Sequence, residues 1–144
     1  MQTGTYHDQN LQHLIKVNYQ RMIAFEQAAY MSEDATLKSF YEARAEESEN
    51  NLRQLYSCLN LTEAEGEMYA TQNNAISGNC LFQVFTGKKS SLKLLQATKT
   101  LEKKILDWYE AAIKEIKSLP AEIVEVVCNQ YRSLSDVQLQ LQYL

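Results

Sequence analysis

The chain has 144 residues, 45% hydrophobic and 22% charged, with one proline and four glycines. A chain of this size buries roughly two thirds of the surface its unfolded form exposes, so it needs no metal or disulfide staple, and the scarcity of helix breakers predicts long helices in a single domain, 1–144. Its 18 acidic and 14 basic residues leave a net charge of −4, and the one basic cluster, Lys99 with Lys103 and Lys104, is too small to follow a phosphate backbone, which excludes nucleic acid as the expected partner.

In chain order, residues 1–7 read as a polar lead-in. Met1 to Asn10 holds no apolar signal core, and no apolar run in the chain approaches the ~18 residues of a spanning helix. A cytoplasmic protein without membrane contact is expected. Leu11, Leu14, Ile15, Met22, Phe25 and Ala29 then recur at spacings of three and four, which predicts a first helix over about 8–31. Ser32-Glu33-Asp34 offers a tight turn with Asp34 as an N-cap, and Leu37, Tyr41, Ala45, Leu52, Leu55 and Leu59 predict a second helix over about 34–59. So short a connection makes the two helices antiparallel neighbours.

Residues 60–90 break the rhythm with Gly66, Asn73, Asn74, Gly78 and Gly87, and read as a long crossover containing one short helix near 78–86. From Ser91 the pattern resumes with Leu94, Thr98, Leu101, Ile105, Trp108, Ala112 and Ile116, a helix over about 91–117. Pro120 sits just inside the start of the last one, about 120–142, carried by Ile123, Val127, Leu134, Val137 and Leu141. Two hairpins joined by a long crossover describe an all-α fold, a ferritin-like antiparallel four-helix bundle with the crossover between helices 2 and 3.

The apolar stripes of these helices carry polar residues that a purely apolar interior would lack. Asn18 lies between Leu14 and Met22; Arg44, Ser48 and Asn51 fall between Tyr41 and Leu55; Glu102 lies toward the edge of the third stripe, where Thr98 is central; Gln130, with Ser133 beside it, sits between Val127 and Leu134. Ferritin-like metal sites use one inward Glu from each of two helices and a Glu-x-x-His pair from each of the other two. Both histidines of this chain, His7 and His13, stand near the N-terminus and cannot supply a mid-helix pair.

The segments Leu14-Ile15-Lys16-Val17-Asn18, Phe25-Glu26-Gln27-Ala28-Ala29 and Leu37-Lys38-Ser39-Phe40-Tyr41, together with Glu102, Tyr109-Glu110-Ala111-Ala112 and the run from Gln130 to Asp136, carry a resemblance. Over nearly its whole length the chain resembles a family of small bacterial proteins built as ferritin-like four-helix bundles and known as a domain of unknown function. The resemblance implies that Asn18 and Phe25 stand where such a helix shows Glu and Tyr, that Ser48 with Asn51 and Gln130 with Ser133 replace the two Glu-x-x-His pairs, and that Glu102 with Tyr109 keeps its Glu and Tyr. One carboxylate of four then survives and no histidine, which leaves Glu102 as the candidate metal ligand; a one-residue shift would bring in Glu26 or pair Glu47 with Asn50, giving at most three carboxylates and still no histidine.

The expectation is therefore an interior polar layer of Asn18, Arg44, Ser48, Asn51, Glu102 and Gln130 that fixes helix register, without cofactor or di-metal centre; a small-molecule or ion pocket between the helices, with Arg44 near Glu102 as the pair to examine, is a further reading. The alternative is a divergent ferritin-like metal-binding or oxidoreductase protein. No nucleophile stands beside a base, and Gly87-Lys88-Lys89 lacks the preceding glycine of a phosphate loop, so hydrolase and kinase chemistry is not expected. Cys58, Cys80 and Cys128 are odd in number, widely spaced, and read as free thiols. Leu106, Leu139 and Leu144 fall off the stripes and suggest a contact with another copy or another protein in a structural or interaction role.

Overall fold

The computed structural model describes residues 8–71 and 90–143. Among them the chain is all-α: α1 Gln9–Met31, α2 Ala35–Cys58, α3 Glu63–Thr71, α4 Ser91–Glu115 and α5 Ala121–Leu141. None of these helices is long and apolar enough to cross a membrane. The expected short helix near 78–86, the Gly87 stop, Cys80 and the lead-in at 1–7 lie outside the described residues.

Local chemistry sets the helix ends. The Asp8 carboxylate accepts from the Leu11 N–H at 3.0 Å, Asp34 accepts from Thr36 and Leu37 at 2.8 and 3.1 Å, and the Ser90 hydroxyl accepts from Lys93 at 3.3 Å. Each satisfies an amide that the first turn leaves without a partner. Pro120 stands at the N-cap of α5, one place before the expected first turn, and its carbonyl accepts from Ile123 and Val124. The end of α2 is a Schellman closure: Asn60 adopts a left-handed φ of 57°, and the Leu61 and Asn60 N–H groups return to the Tyr56 and Ser57 carbonyls at 2.9 and 3.1 Å.

Helix α3 falls in the stretch read above as an irregular crossover. Its start is a capping box, in which the Thr62 N–H donates to Glu65 Oε1 at 2.9 Å and the Glu65 N–H to Thr62 Oγ1 at 3.1 Å. Gly66 is buried against Tyr56, where a Cβ would lie 2.5 Å from the ring's Cγ. The absent side chain lets α3 settle against α2 as well as α1.

Helix directions follow from residues that meet. Asn51 reaches Asn18 and Ser48 reaches Arg21, so α1 and α2 are antiparallel; Tyr109 reaches Asn18 and Glu102 reaches Arg21, so α1 and α4 are as well. Gln130 meets Asn51 while Ser133 meets Glu47, which makes α2 and α5 antiparallel, and the short link at 116–120 folds α5 back on α4. Helices α2 and α4 thus run the same way, and α2 ends where α4 is farthest from its start. Each long helix packs on two others, in the cycle α1, α2, α5, α4.

The core between them holds Leu11, Leu14, Phe25, Leu55, Leu101, Ile105, Val127 and Leu134, each nearly or fully buried. Full burial of one such side chain contributes about 1.5–3 kcal/mol. Tyr41 and Tyr109 are buried inside this core and Trp108 packs on it half-buried. Leu106, expected at a subunit contact, packs partly buried against the same core; Leu139 is exposed, and Leu144 is outside the described residues.

Candidate functional site: an arginine-centred polar interior

Buried in the middle of this apolar core is Arg21, the largest fully buried side chain among the described residues. It leaves α1 four residues before Phe25 and three after Asn18, a spacing that keeps all three on the core-facing stripe. Its guanidinium forks onto Glu102 of α4, with Nε 2.8 Å from Oε2 and Nη2 2.7 Å from Oε1. Nη2 also donates to Glu47 Oε1 at 2.9 Å, and Nη1 donates to Ser48 Oγ at 2.9 Å and to the Arg44 carbonyl at 3.5 Å. The far side of Glu47 accepts from the exposed Ser133 hydroxyl at 2.9 Å, which ties α5 to the same cluster. The Phe25 ring lies 5.1 Å from the guanidinium carbon and closes the layer on one side.

A planar cation meeting a carboxylate through two parallel bonds is among the strongest geometries available to a protein interior. Burial by itself would lower the pKa of Arg21; Glu102 first, and Glu47 after it, outweigh burial and raise it. The guanidinium is held permanently charged. Its four hydrogen-bonded side-chain and backbone partners satisfy a group that would otherwise cost several kcal/mol to bury.

One turn along lies a ring of uncharged polar groups. Asn18 Nδ2 donates to the Tyr109 hydroxyl at 2.8 Å, which donates to Gln130 Oε1 at 2.6 Å. Gln130 Nε2 donates to the Asn51 carbonyl at 3.2 Å and to Gln54 at 2.9 Å, and Asn51 Nδ2 returns to Asn18 Oδ1 at 3.1 Å. The circuit passes through α1, α4, α5 and α2 before it closes. Burial pushes the Tyr109 hydroxyl well above the usual phenol range, more than the Asn18 bond lowers it. On the other side of Arg21, the Tyr41 hydroxyl donates to Thr98 Oγ1 at 3.0 Å while Thr98 donates to the Leu94 carbonyl at 2.8 Å. Phe25 stacks on Tyr41 with ring centres 5.8 Å apart.

Of the residues singled out from sequence, the structure brings Asn18, Ser48, Asn51, Glu102 and Gln130 into these two adjoining layers, all buried. Arg44 is placed differently. It is half-buried at the rim, its Nε 4.0 Å from Glu47 and its guanidinium over Phe40 at 5.3 Å, and the cation beside Glu102, where the pocket reading sets Arg44, is Arg21. The cause is angular, since Arg44 stands at the edge of the α2 stripe while Arg21 faces its centre from α1. Ser133 is exposed and not beside Gln130 in the interior. Arg21 and the hydroxyl role of Tyr109 were not anticipated, and Glu47, read above only in a shifted metal-site register, instead accepts from Arg21. The signal for Arg21 was its place in the series Leu14, Asn18, Arg21, Phe25.

His13 stands apart from both layers, edge-on to Trp108 at 5.4 Å, and burial followed by Lys16 lowers its pKa. Among the described residues, no three His, Cys, Asp or Glu side chains gather as a metal site would require. Cys58 and Cys128 are half-buried free thiols, and burial raises the pKa of Cys58. The chain matches no family model, no curated protein and no solved structure.

Proposed function

We propose that the chain is a ferritin-like antiparallel four-helix bundle in which the place of a metal centre is taken by its own arginine, and that it serves a non-enzymatic structural or protein-interaction role. The observation that carries this reading is the two-pronged bond of Arg21 to Glu102, with Glu47 on the same nitrogen at 2.9 Å. The interior carboxylates already have their cation. A divalent ion would have to displace a fully buried guanidinium and leave that charge without partners, at a cost of several kcal/mol.

The crossover topology is supported by the parallel run of α2 and α4 and by the cycle of neighbours, which places the second hairpin beside the first. A structural role is supported by the closed hydrogen-bond circuit. Slipping any helix by a turn breaks it and strands buried amides, so the layer selects one packing at some cost in polar burial.

The test is elemental analysis of protein purified without chelators. The expected content is below about 0.1 equivalent of iron, manganese or zinc per chain, and about one equivalent or more, retained through gel filtration, would replace this reading with the metal-binding alternative.

A further inference from the structure

We infer that the groove between the outer faces of α1 and α2 receives the lysine-bearing outer face of α4 from a second copy of this chain, in a head-to-tail contact. The inference deepens the interaction half of the function proposed above and rests on that reading.

The groove has a volume of about 650 Å³ and a floor of small side chains, Ala45 among them, so a helix backbone can approach closely. Its walls are mainly acidic, with a single lysine, Lys38, at the end nearest Tyr30. Glu42, Glu46 and Glu49 follow one another at spacings of four and three along α2, with Glu26 facing them from α1. Like charges at this spacing repel. No cation of the described residues pairs with Glu26, Glu42 or Glu46, while Glu49 meets Arg53 at 3.3 Å. Tyr30, 90% exposed, stands at one end of the groove.

The complementary surface is on α4. Leu92, Lys99 and Lys103 recur at spacings of seven and four, opposite the buried Leu94, Leu101 and Ile105, and so share its outward face. Leu92 is 65% exposed, and the Lys103 ammonium has only a loose partner, Asp107 at 3.9 Å. The registers agree. Because Asn18 is level with Asn51 and Arg21 with Ser48, Tyr30 is level with about residue 39 of α2, which puts Glu46 and Glu49 roughly 10 and 15 Å below it. Lys99 and Lys103 lie roughly 10 and 16 Å beyond Leu92 along α4. With Leu92 on Tyr30, the two lysines meet Glu46 and Glu49. The two surfaces differ, so the contact is heterologous and propagates from copy to copy.

Sedimentation velocity of the full chain tests it. The wild type is expected to associate at about 50 mM salt and to dissociate at about 500 mM, with at least a tenfold loss of apparent affinity. E46K/E49K and K99E/K103E are each expected to be monomeric at low salt, and an equimolar mixture is expected to regain assembly, since each then offers the charge the other lacks. A monomeric wild type at low salt, a reversed variant that assembles as the wild type does, or a mixture of two helical variants that stays monomeric would overturn the proposal. If a reversed variant loses its helical circular dichroism, E46Q/E49Q and K99Q/K103Q replace it, with weakened association expected and wild-type association overturning. A monomeric wild type removes this contact and leaves the metal result standing; a metal-loaded interior does the opposite.

Discussion

Replacing Arg21 with Met removes a cation from between two carboxylates without removing the carboxylates. Glu102, only 2% exposed, is then left with no charged partner in the core, and the side chain that replaces the guanidinium cannot bond Ser48. Breaking a buried pair from one side costs about 3–5 kcal/mol, against about 0.5 kcal/mol or less for a typical exposed substitution. R21M is therefore expected to lower the urea midpoint sharply, while R44A, which removes a rim side chain 4.0 Å from Glu47, is expected to shift it little. Equal losses for the two would place the charge balance at the rim. Arginine 21 also marks where sequence reading stopped. Its place in the series Leu14, Asn18, Arg21, Phe25 lies on the core-facing side of α1, but a charged residue is assigned to solvent unless its partners are known. Those partners lie 81 and 26 residues away, at Glu102 and Glu47, and become neighbours only once the helices are packed.

Among the elements, the long helices were readable because each repeats apolar residues over several turns and starts at a recognisable cap: Asp34 and Pro120 both mark helix starts within a residue of expectation. Helix α3 was not readable by that route. It spans nine residues, has few buried positions and contains a glycine, so its periodicity is weak. Its signal was chemical instead, the Thr62-x-x-Glu65 capping box, and its position depends on Gly66 meeting Tyr56. Alanine is the better helix former by about 1 kcal/mol, yet the added carbon would press on the root of the tyrosine ring, which cannot swing aside. G66A is accordingly expected to destabilise by roughly 1–3 kcal/mol and to speed amide exchange in α3 more than in α4 or α5. A stabilised G66A protein would show that α3 does not pack as described.

For the whole molecule, buried titratable groups bound the pH range of stability. Burial raises the phenols of Tyr109 and Tyr41, and burial followed by Glu67 and Glu63 pushes Tyr56 up to about 12, all from an ordinary value of 10.0. In the unfolded chain these groups release protons first, so their contribution is fully present below pH 10 and is lost as pH rises through the folded values. His13 acts at the other end. Its folded pKa is lowered from 6.5, so the unfolded chain binds the proton first, and stability present above that value declines as pH falls below it. Chemical denaturation across pH is expected to show a plateau between these limits, with Y109F shrinking the alkaline decline and H13Q the acid one. Unchanged slopes in either variant would assign the decline to other groups.

The pair at the centre decides whether the four long helices are held in register by an internal cation. Denaturation of the wild type, R21M, E102L and R21M/E102L forms a double-mutant cycle on one buried contact. An arginine-locked interior predicts a coupling of at least about 1.5 kcal/mol, with the double variant more stable than R21M alone because no unpaired charge is left behind. Additive losses, with a coupling near zero, would contradict it and leave the polar interior as incidental packing.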